Sequence, residues 1–394
     1  MKPTEAASRS GDSTSPPVPS PPARFYLPEL DSLRFFAFFA VFVWHIRPLP
    51  DWVLAAPQKN VVETLAVAIW QASEFGVDLF FTLSAYLITE LLVREKIEFG
   101  RIDIRAFYVR RILRIWPLYY GFLGAYFAGL WGLSRALVPW RALPWFAVFA
   151  GNFAMYRGAF VTLQLGILWS VSLEEQFYLV WPWVVSRLSR RRLVVVAILV
   201  WTFSILYRWW LVAEGAEPAK IWWNSFARLD PLACGVLLSA LLGGSTRNRF
   251  ENSRRIVAVA GVSLILAAGY CSPREVNGGA VWMTLAYPLA ALGCAAIVLA
   301  ALGLGTGPDS WLCNPLLKYL GRISYGLYVF HATVILVTVE LLRGLESEPV
   351  VFWTVFPPLA LALTIGIAAA SYEWFEKPFL KLKSRFQYVR SMPV

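Results

Sequence analysis

Apolar runs of roughly membrane-spanning length recur along the chain from residue 33 to residue 375, and no polar domain lies between them. A transmembrane helix needs about 20 mainly apolar residues, and ten segments approach that length. They are 33–49, 74–93, 107–130, 167–187, 193–212, 225–243, 256–271, 280–303, 321–342 and 350–375. The pattern predicts an all-α fold, a polytopic transmembrane helical bundle of about ten helices.

Basic residues separate the apolar runs and predict the orientation of the chain. Loops rich in Lys and Arg mark the cytoplasmic side of a membrane protein. Five such segments are present: 94–114, 187–192, 247–255, 318–322 and 377–390. Ten crossings put all of them, and both termini, in the cytoplasm. A further apolar stretch, 143–156, would invert the later loops if it crossed, so we interpret it as interfacial or re-entrant.

Composition excludes a water-soluble fold. Hydrophobic residues make up 58% of the chain and charged residues only 15%, whereas soluble domains carry roughly a quarter charged residues. The net charge of +11 is explained by the basic loops, so we expect no nucleic-acid partner. The four cysteines lack the spacing of metal or redox sites. We therefore expect them to be packing residues, and we expect no metal.

The two ends of the chain differ from its middle. Residues 1–26 are rich in Ser and Pro, which predicts a disordered cytoplasmic tail. Residues 27–380 are predicted to form one membrane domain, and residues 381–394 a basic cytoplasmic tail. The polar stretch before the first apolar run is too long for a cleaved signal peptide, so we expect that run to remain as a membrane helix.

Only two histidines are present, His45 and His331, and both fall inside predicted spans, where an ionisable side chain is usually functional. His45 follows Arg34 by 11 residues, close to three helical turns, so both share one face and lie about 16 Å apart along the axis. Because histidine titrates near neutral pH, we predict that His45 is a general base. The structural alternatives are an interhelical hydrogen bond for either histidine and an interfacial anchor for Arg34.

Three arginines lie at the cytoplasmic mouth of the third predicted span: Arg110, Arg111 and Arg114. Guanidinium groups bind phosphate oxygens in a bidentate geometry. We therefore predict that these arginines, with Arg34, bind a phosphate-rich ligand. Their alternative role is the positive charge of a cytoplasmic loop.

Three acids lie at or within predicted spans: Asp78, Glu174 and Glu175. Buried carboxylates need partners. All three are expected toward the outer half, at the level of His45, so one of them is predicted to orient that imidazole. A structural pair with an arginine, or a helix cap, is the alternative for each.

Other residues are predicted to bind the substrate. Tyr325 and Tyr328 lie on the helix face of His331, which favours the lining of a polar cavity. We predict that His331, Tyr325 and Ser84 line the substrate site. For His331, a packed hydrogen-bond site between helices explains the sequence equally well.

The chain resembles acyltransferase family 3, the integral membrane acyltransferases that include bacterial O-antigen and exopolysaccharide O-acetylases and macrolide acyltransferases. The resemblance covers about residues 27 to 380 and rests on six ordered blocks. They are 30–34 leading to His45, 76–84, 107–117, 169–182, 320–331 and 372–378. Ser32, Phe35 and Ala85 stand where the family commonly has glycine. These departures remove no acid, base or cation.

The resemblance implies a ten-span domain that uses acyl-CoA, often acetyl-CoA, as a co-substrate without a permanently bound cofactor. It implies critical roles for Arg34 and His45, and it assigns the family's arginine motif to Arg111 and Arg114. It also implies a carbohydrate, glycolipid or similar acceptor and a bacterial inner membrane. Some members append a soluble esterase-like domain; about 18 residues follow Glu376, so we expect a stand-alone membrane domain.

Two mechanisms and a rival function fit the sequence. His45 acting as a base for direct transfer, and His45 carrying the acyl group itself, both remain open. The rival is a transporter or flippase of a lipid-linked sugar or small anionic metabolite, with Arg, Glu and His lining its path. It predicts internal repeats, yet the six blocks are not duplicated. A non-enzymatic scaffold leaves both histidines and the arginines unexplained. The sequence does not determine the oligomeric state.

Overall fold

The structure is a computed structural model that describes eight stretches of the chain. They are residues 25–47, 61–133, 139–159, 161–242, 253–272, 280–303, 311–345 and 347–386. These residues form helices and connecting turns, with no strand among them, which confirms the all-α prediction. Most of each predicted tail, residues 1–24 and 387–394, lies outside the described residues.

Seventeen α-helices are formed by the described residues. They are α1 (Pro28–Ile46), α2 (Val61–Ser73), α3 (Gly76–Phe99), α4 (Ile104–Leu133), α5 (Leu143–Ala147), α6 (Gly151–Tyr156), α7 (Leu163–Gly166), α8 (Trp169–Arg187), α9 (Arg190–Ala213), α10 (Pro218–Trp223), α11 (Asp230–Leu242), α12 (Arg254–Tyr270), α13 (Ala280–Gly303), α14 (Pro315–Arg322), α15 (Ser324–Leu341), α16 (Pro349–Ser371) and α17 (Lys377–Lys383). A π-helical turn, Tyr372–Glu376, joins α16 to α17.

Each of the ten predicted spans overlaps a helix within the described residues, although the span 321–342 is interrupted at Ile323, between α14 and α15. Within the described residues, five helical segments are long and apolar enough to cross a membrane. They are 76–99, 190–213, 284–302, 324–341 and 349–383. The protein is therefore an integral membrane protein, and the number of ten crossings stays a prediction. The stretch 143–156 is split into α5 and α6, and α2 is a helix that the apolar pattern did not predict.

Helix α1 packs against α2, α3, α13, α14 and α15 and carries two of the predicted site residues. Its first turn contains Pro28, which suits a helix start, and acidic side chains that favour the helix dipole. Two glycines let neighbouring helices touch its backbone. A Cβ on Gly321 would lie 1.8 Å from the carbonyl oxygen of Asp31, and one on Gly76 would lie 2.4 Å from that of Ala37. This close packing fixes α1 against α14 and α3.

Candidate active site

The two histidines, 286 residues apart in the sequence, meet in the structure. His45 lies near the end of α1 and His331 in the middle of α15. The Nδ1 atom of His45 lies 3.3 Å from Nε2 of His331, and their rings meet edge to face with centroids 4.9 Å apart. His331 is fully buried. The sequence predicted separate roles for these side chains, whereas the structure joins them in one pair.

Backbone carbonyls fix the tautomers of this pair. Nδ1 of His45 lies 2.8 Å from the carbonyl oxygen of Val41, and Nδ1 of His331 lies 2.6 Å from that of Tyr328. A carbonyl oxygen only accepts, so each Nδ1 carries the proton in the neutral ring. Nε2 of His331 is then an acceptor that faces His45. Nε2 of His45 carries the lone pair that a general base requires.

A cavity of about 110 Å³ lies between α1, α3, α4, α8 and α15. Its charged lining residues are Arg34, Arg111, Arg114 and Glu174. Arg34 is held by Asp31, whose Oδ1 accepts from Nη1 at 2.5 Å. Among the described residues, neither Arg111 nor Arg114 forms an ion pair, and Nε of Arg111 is buried without a hydrogen-bond partner. The cavity therefore carries an excess of positive charge and suits an anion.

The Tyr178 hydroxyl holds Glu174, the one carboxylate that the described residues contribute to the lining of this cavity. The Tyr178 hydroxyl donates to Glu174, and its oxygen lies 2.5 Å from Oγ of Ser84. The Tyr325 hydroxyl donates to the carbonyl oxygen of Ile115 at 3.1 Å. Ser84 and Tyr325 both line the cavity, whereas His331, predicted with them, lies behind its wall.

Tyr328 connects the cavity to the histidine pair. Its side chain lines the cavity, and its ring centroid lies 5.5 Å from that of His331. The Tyr328 hydroxyl donates to the carbonyl oxygen of Ile167 at 3.0 Å and lies 2.7 Å from Oγ of Ser170. We call this cavity, lined by Arg34, Arg111 and Arg114, the arginine cavity. From it, a row of contacts leads through Tyr328 and His331 to His45.

The three predicted acids have other polar partners. Asp78 accepts from Nη2 of Arg228 at 2.7 Å, and Glu175 accepts from the indole of Trp116 at 3.1 Å. Glu174 lies with Arg34 in the cavity rather than at the level of His45. Ser170, one turn before Glu174 on α8, is the residue that contacts Tyr328. Glu174 therefore lies about 6 Å along the helix axis from the level of Tyr328.

Arg110 differs from its neighbours on α4. Its guanidinium pairs with Glu95 at 3.2 Å and donates to the carbonyl oxygen of Phe386 at 2.7 Å. It does not line the arginine cavity. Adjacent helical residues point about 100° apart, which is the reason that Arg111 faces the cavity and Arg110 does not.

A second buried charge cluster was not recognised in the sequence. Arg208 pairs with both oxygens of Asp230, at 2.7 and 3.0 Å, and the ring of Tyr287 lies under Arg208 and Arg228 at 4.9 and 4.6 Å. The signal was present, because Arg208 interrupts the predicted apolar span 193–212. This cluster joins α3, α9, α11 and α13.

Replacing Asp78 with asparagine is expected to destabilise the fold. Asp78 and Arg228 are both completely buried, so the substitution leaves a buried charge without its counterion, which costs about 3–5 kcal/mol in the free energy of unfolding. Thermal unfolding in detergent measures this loss. The matched control is Glu340→Gln, which breaks an exposed pair with Arg343 and should leave the unfolding temperature unchanged. Wild-type stability with lost activity would instead indicate that Asp78 acts on His45.

Comparison with known proteins gives one family. The family model Acyl_transf_3, described as an acyltransferase domain, matches residues 27–372. No solved structure matches the chain.

Curated relatives align over nearly all of this chain. A putative peptidoglycan O-acetyltransferase, YrhL of Bacillus subtilis, is 28% identical over 384 residues, which cover 90% of this chain and 55% of the relative. The peptidoglycan O-acetyltransferase OatA of Listeria monocytogenes is 25% identical over 392 residues, which cover 91% of this chain and 56% of the relative. The chain spans about half the length of these curated relatives.

Proposed function

Since the chain belongs to the Acyl_transf_3 family of acyltransferases, we propose that it is a membrane O-acyltransferase. Its donor is an acyl-CoA, with acetyl-CoA as the first candidate, and its acceptor is a hydroxyl of a cell-envelope carbohydrate or glycolipid. One observation carries this proposal: a cavity lined by Arg111 and Arg114, which form no ion pair within the described stretches, leads through Tyr328 to the histidine pair. Two relatives named as peptidoglycan O-acetyltransferases favour an acetyl group and a glycan.

The arginine cavity holds the donor in this proposal. Arg111 and Arg114 pair with its phosphate groups, because guanidinium forks match phosphate oxygens. Arg34 shares the cavity and is held in place by Asp31. Coenzyme A is cytoplasmic, so the arginines face the cytoplasm, in agreement with the basic segment 94–114. The protein then lies in the bacterial inner membrane with His45 toward the outer side.

His45 is the base of the transfer step. Its Nε2 takes the proton of the acceptor hydroxyl as the hydroxyl oxygen attacks the thioester carbonyl carbon. The carbon–sulfur bond breaks, and the leaving thiolate takes that proton from the imidazolium, which gives an ester, free CoA and neutral His45. In the covalent alternative, Nε2 of His45 attacks the thioester carbon and the thiolate leaves. The acceptor hydroxyl then displaces the imidazole from the acyl group and its proton passes to the thiolate, which gives the same ester, free CoA and neutral His45.

The pair with His331 supports the imidazolium that forms. Nε2 of His331 accepts from Nδ1 of His45 in both protonation states, so it keeps the ring in one orientation. His331 is thus a positioning residue. This assignment replaces direct substrate binding, which requires His331 to line the cavity.

Substitutions at His331 should separate positioning from packing. His331→Gln retains an amide oxygen that can reach His45, whereas His331→Leu keeps the volume without an acceptor. We expect His331→Leu to lower kcat about 10²-fold with an unchanged KM for acetyl-CoA, and His331→Gln to recover most of the loss. Steady-state kinetics on both purified variants measure the changes in kcat and in KM separately. Equal losses in both, accompanied by equal losses of thermal stability, would indicate that the pair is only structural.

Direct transfer of label tests the function. Purified protein in liposomes is incubated with radiolabelled acetyl-CoA and envelope carbohydrate from the host. We expect label on the carbohydrate as a base-labile ester, and the labelled product identifies the acceptor. No ester and no binding of CoA would contradict the proposal and favour the transporter.

A further inference from the structure

A second cavity, of about 80 Å³, adjoins the arginine cavity. The two share Arg34, Ser84, Arg111 and Arg114 in their linings. The second cavity lies toward the start of α1, where Phe25 and Tyr26 form part of its wall. It lies on the side of the arginines away from Tyr328, at the end of the site that faces the cytoplasm in the proposed orientation.

Lys383 brings a fourth cation to this second cavity. It lies at the end of α17, beyond the predicted boundary at residue 380 between membrane domain and basic tail. Helix α17 packs beside α4, its Leu380 is buried, and Arg110 of α4 donates to the carbonyl oxygen of Phe386, just after α17. The start of the predicted tail is therefore part of the wall of the cavity.

Of the described residues, four basic side chains and a single carboxylate, that of Asp31, line this cavity. Both oxygens of Asp31 are already used, since Arg34 donates to Oδ1 and the Tyr26 hydroxyl donates to Oδ2 at 2.9 Å. Burial and the Asp31 carboxylate raise the pKa of Tyr26 to about 12, so that hydroxyl stays protonated as a donor. In the described part of the chain, Lys383 forms no ion pair. Its amino group lines the same cavity as Arg111 and Arg114, so an anion bound there would have three basic side chains around it.

We infer that this second cavity is a phosphate subsite for the donor and that Lys383 binds a phosphate there. This rests on the proposed function. Pockets for whole drug-sized ligands measure about 300–1,000 Å³, so a cavity of about 80 Å³ accommodates a phosphate group rather than a nucleotide. The thioester arm then extends past Arg34 into the arginine cavity. Lysine suits this position as a mobile point charge beside the fixed guanidinium forks.

Binding of CoA to three variants tests the subsite. Lys383→Ala should weaken the Kd for CoA about 10-fold or more, and Lys383→Arg should restore most of the affinity. Lys381→Ala is the matched control, because Lys381 is an exposed lysine on the same helix, and it should bind as the wild type does. Calorimetry or a filter assay with labelled CoA in detergent measures each Kd.

A donor without phosphates separates binding from folding. With S-acetylpantetheine, which lacks every phosphate of acetyl-CoA, Lys383→Ala should have the same kcat/KM as the wild type. If the wild type binds CoA and Lys383→Ala binds it equally well, the subsite is refuted while the proposed function stands. If Lys383→Ala is equally impaired with both donors, Lys383 has a structural role and the subsite is refuted. If the wild type binds no CoA, the proposed function itself fails.

Discussion

His45→Asn is expected to abolish acyl transfer while the protein stays folded. The asparagine amide can still donate to the carbonyl oxygen of Val41, as Nδ1 of His45 does, but it offers no basic nitrogen to the acceptor. A positioned general base contributes about 10²- to 10⁴-fold, so kcat should fall by that factor. Transfer of label from acetyl-CoA by the purified variant measures the loss.

Two controls make the result specific to the base. The unfolding temperature of His45→Asn should match that of the wild type, and its Kd for CoA should be unchanged, because His45 does not line the arginine cavity. Wild-type turnover by His45→Asn would contradict every form of the mechanism, direct or covalent. A variant that fails to bind CoA would show that His45 maintains the donor site instead.

The double substitution Arg111→Ala/Arg114→Ala should remove most donor affinity. Each charge-assisted hydrogen bond contributes about 1.5–3 kcal/mol, so the loss of contacts from both arginines should raise the Kd for CoA by about 10²-fold or more. Because neither side chain pairs with an acid in the described residues, removing them leaves no carboxylate without a partner. Folding stability should therefore not fall, which distinguishes these arginines from Arg228.

Arg105→Ala is the matched control on the same helix. Arg105 is exposed on α4, so its loss should change neither the Kd nor the unfolding temperature beyond about 0.5 kcal/mol. Similar weakening by Arg105→Ala and by the double variant would mean that CoA senses only the overall positive charge of this end of the protein. In that case the Kd for CoA should also rise by the same factor for both variants when the salt concentration is raised.

The helices could be predicted from the sequence more fully than the site. Membrane length imposes apolar runs of about 20 residues, and that constraint acts on each segment alone. Each of the ten predicted spans overlaps a helix for this reason. Helix α2 was missed because its 13 residues are shorter than a span. The break at Ile323 between α14 and α15 was missed because the apolar pattern continues across it.

The site depends on packing between distant segments, which local pattern does not encode. His45 and His331 could be singled out because ionisable residues are rare inside membrane spans, but their pairing follows from the contact between α1 and α15. Helical spacing separates the directions of Arg110 and Arg111 without telling which one faces the cavity. The sequence indicated Lys383 only as part of a basic cytoplasmic segment. The π-helical turn that comes before α17, where α17 approaches α4, leaves no simple mark in the sequence, so the position of Lys383 beside the cavity could not be predicted.

The most direct test of the account compares two products of one reaction. Purified protein receives acetyl-CoA and the acceptor found by labelling, and the CoA thiol released and the ester formed are measured together. The proposed mechanism predicts one thiol for each ester with the wild type, and neither product above background with His45→Asn. Acceptor movement across the liposome membrane without thiol release, or equal thiol release by both proteins, would contradict it.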